Sequence, residues 1–285
     1  MPLKESSMQD GSFELAGVRV AYVEGGSGFP VLMIHGSGPG ASTAGNWRLV
    51  LEPLTHGYHV YAMDLIGFGQ SGRKAGPPYF DCDLWLEQCR AMLRSIPGDR
   101  VGIIGHSVSG ALALKLAAED ARVAKVITTG TMGAAFVMND ATRRTWTFPA
   151  NRGELRKAAE GLVFDQALID EAYLAGREQV LGTEGYDRYF SAMFAGDKQQ
   201  YIDQAILTSA ELARVRCPVM MIHGRDDSAF PAETLTMALS RNIPHADVVL
   251  LGRCSHSVAF EHPVKFVALV HAFFGSDATE GNHHG

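Results

Sequence analysis

No stretch of the 285-residue chain comes near the roughly 20 consecutive apolar residues that a membrane helix needs. A membrane partner is therefore not expected. The opening Met1-Pro2-Leu3-Lys4-Glu5-Ser6-Ser7 lacks the apolar core of a secretory signal. Cysteine is scarce: Cys82, Cys89, Cys217 and Cys254 form neither a C-x-x-C pair nor a dense framework. A reduced set in a cytoplasmic protein is expected, rather than disulfides or a zinc ribbon. Basic charge is also short. The 25 Lys and Arg against 31 Asp and Glu give a formal charge of -6, which argues against nucleic acid or an anionic membrane surface. A single arginine could still hold a small anion. Neither internal repeats nor H-E-x-x-H spacing appear, so no metal is expected. The one dinucleotide-like run, Gly67-Phe68-Gly69-Gln70-Ser71-Gly72, is followed by Arg73-Lys74-Ala75-Gly76-Pro77-Pro78. A helix should open there and this text does not form one, so no cofactor is expected either.

What the chain does have is apolar residues, 46% of the total, enough for a large core in one domain with or without an insertion. Ser12 to Val23 alternates around Ala16-Gly17 and reads as an edge hairpin. Continuous apolar runs at Pro30–His35, Tyr58–Met63, Val101–Ile104 and Val123–Thr129 read as central parallel strands. Helical spacing from Asp81 to Ser95 separates the second of these from the third. Strands alternating with helices imply a mostly parallel, doubly wound α/β sheet. From about Ala135 to Leu212 the text turns helical and polar, then strand-like runs resume at Pro218–His223 and Ala246–Leu251, followed by a last helix from Pro263 to Phe274. The expected organisation is a core of residues 1–134 and 213–275, a helical lid of residues 135–212 inserted after the fourth parallel strand, and a disordered tail of residues 276–285.

The chemistry centres on Gly105-His106-Ser107-Val108-Ser109-Gly110, between an apolar strand and the helix former Ala111–Asp120. A strand that turns sharply into a helix around a serine is a nucleophile elbow, and its helix-terminus amides favour an oxyanion. The second glycine of G-x-S-x-G is replaced by Ser109, which is still small. A serine hydroxyl is a weak nucleophile at neutral pH and needs a base held by a carboxylate. Gly224-Arg225-Asp226-Asp227 follows one later strand and Gly252-Arg253-Cys254-Ser255-His256 the next. Asp227, with Asp226 as the alternative, and His256 are thus expected at the same carboxyl edge of the sheet as Ser107. The order Ser, Asp, His is that of the α/β-hydrolase fold. One oxyanion amide should come from Val108 and the other from the loop His35–Gly40, at Ser37 or Gly38. His35, His223 and His262 read as structural, and Asp64 and Arg253 have no role that the sequence can argue. Phe136, Met138, Trp146, Phe148, Phe164, Phe190 and Met193 could line the pocket or pack the lid.

His35-Gly36-Ser37-Gly38-Pro39-Gly40-Ala41 with Gly45-Asn46-Trp47-Arg48, Asp64–Gly69, Leu162–Asp165 through Leu174-Ala175-Gly176-Arg177, and Glu261-His262-Pro263 together resemble the α/β-hydrolases that cleave carbon–carbon bonds in meta-cleavage products of aromatic catabolism. The resemblance covers most of the chain. It implies Ser107, Asp227 and His256 as the triad, with the amides of Ser37 and Val108 as the oxyanion hole. It implies Arg177 for the substrate carboxylate and Asn46 near the oxo groups. It also implies a 2-hydroxy-6-oxo-hexa-2,4-dienoate type substrate, ketonised and then hydrolysed, with His256 assisting the proton transfer. Members of the family often assemble as dimers or higher, so a homo-oligomer is allowed. Two positions depart from the pattern. His106 stands where the family usually has Asn, and Ser257 where it usually has Trp. His106 is expected to donate a hydrogen bond, and Ser257 to leave space beside the substrate. These departures keep a carboxylesterase or lactonase as an alternative. A non-catalytic small-molecule receptor and a cofactor-free dioxygenase on the same scaffold are further ones.

Overall fold

The computed structural model describes residues 8–275. The expected tail, residues 276–285, lies outside the described residues. Eight strands are formed: β1 Gln9–Leu15, β2 Val18–Gly26, β3 Phe29–Ile34, β4 Tyr58–Met63, β5 Val101–His106, β6 Val123–Thr129, β7 Val219–Gly224 and β8 Ala246–Leu251. They make one sheet in the order β1-β2-β4-β3-β5-β6-β7-β8. The β1–β2 and β2–β4 pairs are antiparallel and all the others parallel. This is the α/β-hydrolase fold.

The central runs are continuously apolar because both faces of the sheet are covered. Leu32, Ile34, Ile103 and Val126 point into one buried cluster. Their neighbours Val31, Met33, Ile104 and Ile127 point into another on the opposite face. The two-residue period of a strand thus divides each run between two cores. The Cys82–Ser95 helix starts at Asp81, whose carboxylate accepts from the Leu84 amide at 2.9 Å.

Between β6 and β7 the chain leaves the sheet and runs through helices that include Asp140–Thr145, Arg152–Glu160, Glu171–Leu181 and Tyr186–Met193. This segment is pinned over the carboxyl edge. Trp146 Nε1 donates to Ser37 Oγ at 3.2 Å, and the Ser257 amide donates to the Leu162 carbonyl at 3.1 Å. Glu261 straddles both parts, accepting from the amides of Ser255 (2.9 Å) and Phe164 (2.6 Å).

The turn after β5 is the sharpest in the core. Ser107 has φ 58°, a left-handed value that costs a non-glycine residue energy, and caps the Val108–Glu119 helix. Gly105 is required beside it, since a Cβ there would lie 2.2 Å from the Ser109 carbonyl oxygen. Ser109 replaces the expected second glycine without strain. Its buried hydroxyl donates to the His35 carbonyl at 2.6 Å and ties the elbow to the loop after β3. Ser109→Ala should therefore destabilise the fold by about 1 kcal/mol, read as a lower urea midpoint at unchanged m-value.

Candidate active site

Four strand ends supply the site. β3 leads into His35–Gly40, β5 into Ser107, β7 into Asp227 and β8 into His256. His256 Nδ1 lies 2.7 Å from Asp227 Oδ2. The carboxylate can only accept, so Nδ1 carries the proton and Nε2 is left as a base. Asp227 is fully oriented: Oδ1 accepts from the amides of Ala229 (3.1 Å) and Phe230 (2.9 Å), and Oδ2 also faces His223 Nε2 at 3.1 Å. His223 Nε2 is 2.9 Å from the Phe230 carbonyl as well, so it too is the protonated nitrogen. Burial alone would raise the Asp227 carboxyl, but His256 and His223 outweigh it and hold the group well below the usual carboxylate range. The alternative, Asp226, is spent elsewhere, accepting from the Arg253 amide at 2.8 Å. The Phe230 ring stacks on His256 with centroids 4.3 Å apart and fixes the imidazole plane. His223, Asp227 and His256 offer donor atoms within 4.8 Å of one another. These short approaches are the hydrogen bonds just described.

Ser107 and His256 line one cavity, together with Ser37, Gly38, Asn46, His106, Arg177 and Ser257. Val108 is the first residue of its helix, so its amide has no acceptor within the helix. Ser37 is buried and lines the same cavity as Ser107. Of the candidates for the triad, the oxyanion hole and substrate contact, Ser37, Gly38, Asn46, His106, Ser107, Arg177, His256 and Ser257 line this cavity, and Asp227 and Val108 do not.

A second cavity adjoins the first, sharing Asn46, His106, Arg177 and Ser257. Three of its lining side chains carry buried donor atoms with no protein partner: Trp47 Nε1, the Tyr173 hydroxyl and Arg177 Nε. Arg177 is only 9% exposed. Among the described residues no carboxylate pairs with it; Glu171 and Glu178 pair instead with Arg152. Its guanidinium lies 4.8 Å from the Tyr173 ring centroid, and Nη1 donates to the Pro39 carbonyl at 2.6 Å. The Glu171–Leu181 helix buries Tyr173, Leu174, Arg177, Val180 and Leu181, one face at helical spacing. Gly40, at φ 67°, lets the loop touch this helix, since a Cβ there would meet Arg177 Cβ at 2.8 Å. Each cavity has room for about one water molecule as it stands.

His106 differs from its expected role. Its Nδ1 lies 3.0 Å from both the carbonyl and the hydroxyl of Thr129. A carbonyl accepts only, so Nδ1 is the nitrogen that donates, into the protein. Burial first, and then the nearby His256, push the His106 imidazole well below the usual histidine range. The neutral ring therefore carries its proton on Nδ1, and Nε2 is an acceptor. The expected donor to a substrate is thus absent.

Other residues take structural places. His35 Nε2 accepts from the Leu65 amide at 3.0 Å. Asp64, without an argued role in the sequence, accepts from the amides of Thr43 (2.6 Å) and Gln70 (2.7 Å) and joins two loops. His262 Nε2 lies 3.0 Å from the Arg253 carbonyl. None of the seven lid aromatics and methionines lines either cavity, whereas Thr145, Leu162, Tyr173 and Arg177 do. The sequence signals for the overlooked residues were adjacency and period: Trp47 follows Asn46, and Tyr173 precedes Arg177 by one helical turn.

The profile of the alpha/beta hydrolase family matches residues 31–269. A 2-hydroxymuconate semialdehyde hydrolase of Pseudomonas sp. (strain CF600) is 31% identical, covering 90% of this chain and 91% of its own. A 2-hydroxy-6-oxo-2,4-heptadienoate hydrolase of Pseudomonas putida is 30% identical, covering 88% and 91%. The solved structure of a meta-cleavage product hydrolase from Pseudomonas fluorescens IP01 superimposes with a TM-score of 0.88 at 28% identity, covering 94% of this chain and 98% of that one.

Proposed function

Since the chain belongs to the alpha/beta hydrolase family and to its meta-cleavage product hydrolases, we propose that it hydrolyses the carbon–carbon bond beside the 6-oxo group of a 2-hydroxy-6-oxo-hexa-2,4-dienoate. The observation that carries the reading is the second cavity. A buried guanidinium with no carboxylate partner among the described residues and a free Nε, grouped with two further donors without a partner, Trp47 Nε1 and the Tyr173 hydroxyl, suits a carboxylate, and buried donors are costly unless something accepts from them. A neutral ester would bring no negative charge to balance the guanidinium there. The adjoining triad cavity would then take the 6-oxo carbon.

The chemistry follows from electron demand. Breaking the C5–C6 bond leaves an electron pair on C5, which the dienol cannot hold. Moving the 2-hydroxyl proton to C5 makes a 2-oxo-3-ene, whose carbonyl can take that pair through the double bond. His256 Nε2 then accepts the proton of Ser107 while the hydroxyl oxygen attacks C6. Asp227 stabilises the imidazolium so formed, and the amides of Val108 and Ser37 hold the oxyanion. The bond breaks to give a dienoate and an acyl group, and water attack under the same base releases the acid. Asn46, lining both cavities, is within the space between carboxylate and oxo ends. No helix among the described residues is long and apolar enough to cross a membrane, and four free thiols suit a reducing cytoplasm.

The test is the bleaching of the yellow dienoate by the purified protein beside turnover of a nitrophenyl ester. Ester turnover with no dienoate decay would defeat the carbon–carbon reading. Arg177→Gln should cut kcat/KM for the dienoate by about 10- to 100-fold, the equivalent of one charge-assisted hydrogen bond, chiefly through KM. The neutral ester should lose less. Equal losses on both substrates would remove Arg177 from the carboxylate site.

A further inference from the structure

We infer that Arg48 is an outer anion station of this site, an exposed guanidinium that draws the substrate's carboxylate to the surface beside the second cavity before Arg177 grips it. The inference rests on the dienoate reading above and deepens it by naming a route in. Asn46, Trp47 and Arg48 are consecutive at the end of the short Thr43–Trp47 helix. Asn46 and Trp47 line the second cavity, whereas Arg48 is exposed. Its guanidinium carbon lies 5.8 Å from the Tyr173 ring centroid and 5.1 Å from that of Phe260. Both rings line the cavity, so a single layer of side chains separates it from Arg48. The two rings pack together with centroids 4.9 Å apart, and Arg177 lies 4.8 Å from the Tyr173 centroid. The same tyrosine ring thus touches one guanidinium inside the protein and one at the surface.

The charge of Arg48 is not cancelled locally. Among the described residues no carboxylate pairs with it and no carbonyl accepts from it; its partners are the two rings. A cation held against ring faces keeps its net charge, whereas a salt bridge would neutralise it. That surplus matters because the chain as a whole carries -6. A dienoate anion approaching from bulk water meets net repulsion, which a local positive group on its path can reverse. Arg177 is only 9% exposed and can grip the carboxylate only once it has entered.

The two arginines therefore divide the work: Arg48 acts on arrival and Arg177 on holding. Kinetics separates these roles, since a charge at the rim of a site chiefly sets association and its salt dependence, while a buried charged contact chiefly sets dissociation.

Stopped-flow mixing of 2-hydroxy-6-oxo-hepta-2,4-dienoate with Ser107→Ala protein, which lacks the nucleophile, follows association through the colour of the bound dienoate. At an ionic strength of about 20 mM, adding Arg48→Gln should lower the second-order association rate by about three- to tenfold, the lower end of electrostatic steering. At about 0.5 M, where charges are screened within a few ångströms, the gap should shrink below about twofold. Arg48→Lys keeps the charge and should stay within about twofold of its parent at both salts. Arg177→Gln should instead raise the dissociation rate. An unchanged association rate in Arg48→Gln at low salt, or a loss that salt does not shrink, would overturn the assignment. A Lys variant that loses as much as the Gln variant would also overturn it, marking Arg48 as ring packing alone. Should Arg48→Gln not fold, the parent still decides: its association rate should fall several-fold between the two salts, and a flat profile would overturn the assignment. A wild type that consumes no dienoate would overturn this inference and the reading under it together. Dienoate consumption with association indifferent to Arg48 would overturn this inference alone.

Discussion

Ser107→Ala should lower dienoate cleavage by at least about 10⁴-fold, the scale seen when a triad nucleophile is removed. The substitution takes away one oxygen and little else. The elbow is held by the Ser107 amide, which donates to Thr129 at 2.9 Å, and by Ser109, which donates to His35. Neither bond uses the lost hydroxyl. The Asp227–His256 pair at 2.7 Å likewise survives, as do the donors around the second cavity. The variant should thus still bind and ketonise the dienoate, and the 2,6-dioxo form should build up in the spectrum without release of acid. That separation is the useful readout. A variant that keeps more than about a tenth of wild-type cleavage, far above the residual expected without a nucleophile, would show that water attacks C6 directly and that Ser107 only assists.

Asp227→Asn should cost about 10⁴-fold in kcat by a different route, loss of the correct imidazole tautomer. The amide must keep its oxygen toward the amides of Ala229 and Phe230, where Asp227 Oδ1 sits. Its NH2 then replaces Oδ2 and faces His256 Nδ1. That nitrogen must become an acceptor, the proton moves to Nε2, and Nε2 can no longer take one from Ser107. The NH2 also meets the Nε2–H of His223, which is held as a donor by the Phe230 carbonyl at 2.9 Å, so the variant should be less stable too. The pH dependence of that loss has a defined sign. Asp227 is depressed in the native protein, burial being outweighed by His256 and His223. Its contribution is therefore fully present above the unfolded carboxyl value of about 3.9 and is lost as pH falls through the lower native value. The urea-midpoint gap between wild type and Asp227→Asn should be constant from about pH 8 to 5 and narrow below about pH 4. A gap that widens in acid would show that Asp227 is not held as an ion.

The helical segment between β6 and β7 joins these two results to the substrate. It places Arg177 and Tyr173 over the strand ends and is fastened there by Trp146 to Ser37, by Leu162 to Ser257 and by Glu261 to Phe164. Two of the three fastenings end on site residues or on the loop next to them. Movement that admits substrate would therefore also loosen Ser37 and the His256 loop.

The sequence alone determined the parallel sheet, the elbow and the strand ends that carry Ser107, Asp227 and His256, because these are local or periodic. An apolar run bounded by glycine has one stable use when both its faces are covered, and a strand–Ser–helix turn needs only its neighbours. Asp227 and His256 were legible because strands of a parallel sheet all end on one side, so residues just past them must meet. Tertiary structure decided what depends on partners distant in the chain. Choosing Asp227 over Asp226 took the 2.7 Å contact to His256. The tautomer of His106 was set by Thr129, 23 positions away, and no property of histidine itself predicts which nitrogen will be free. The grouping of Trp47, Tyr173 and Arg177 around one cavity needed the helical segment folded back on the loop after β3. Sequence spacing gives each residue's face within its own element; which faces then share a cavity is fixed only when the elements pack.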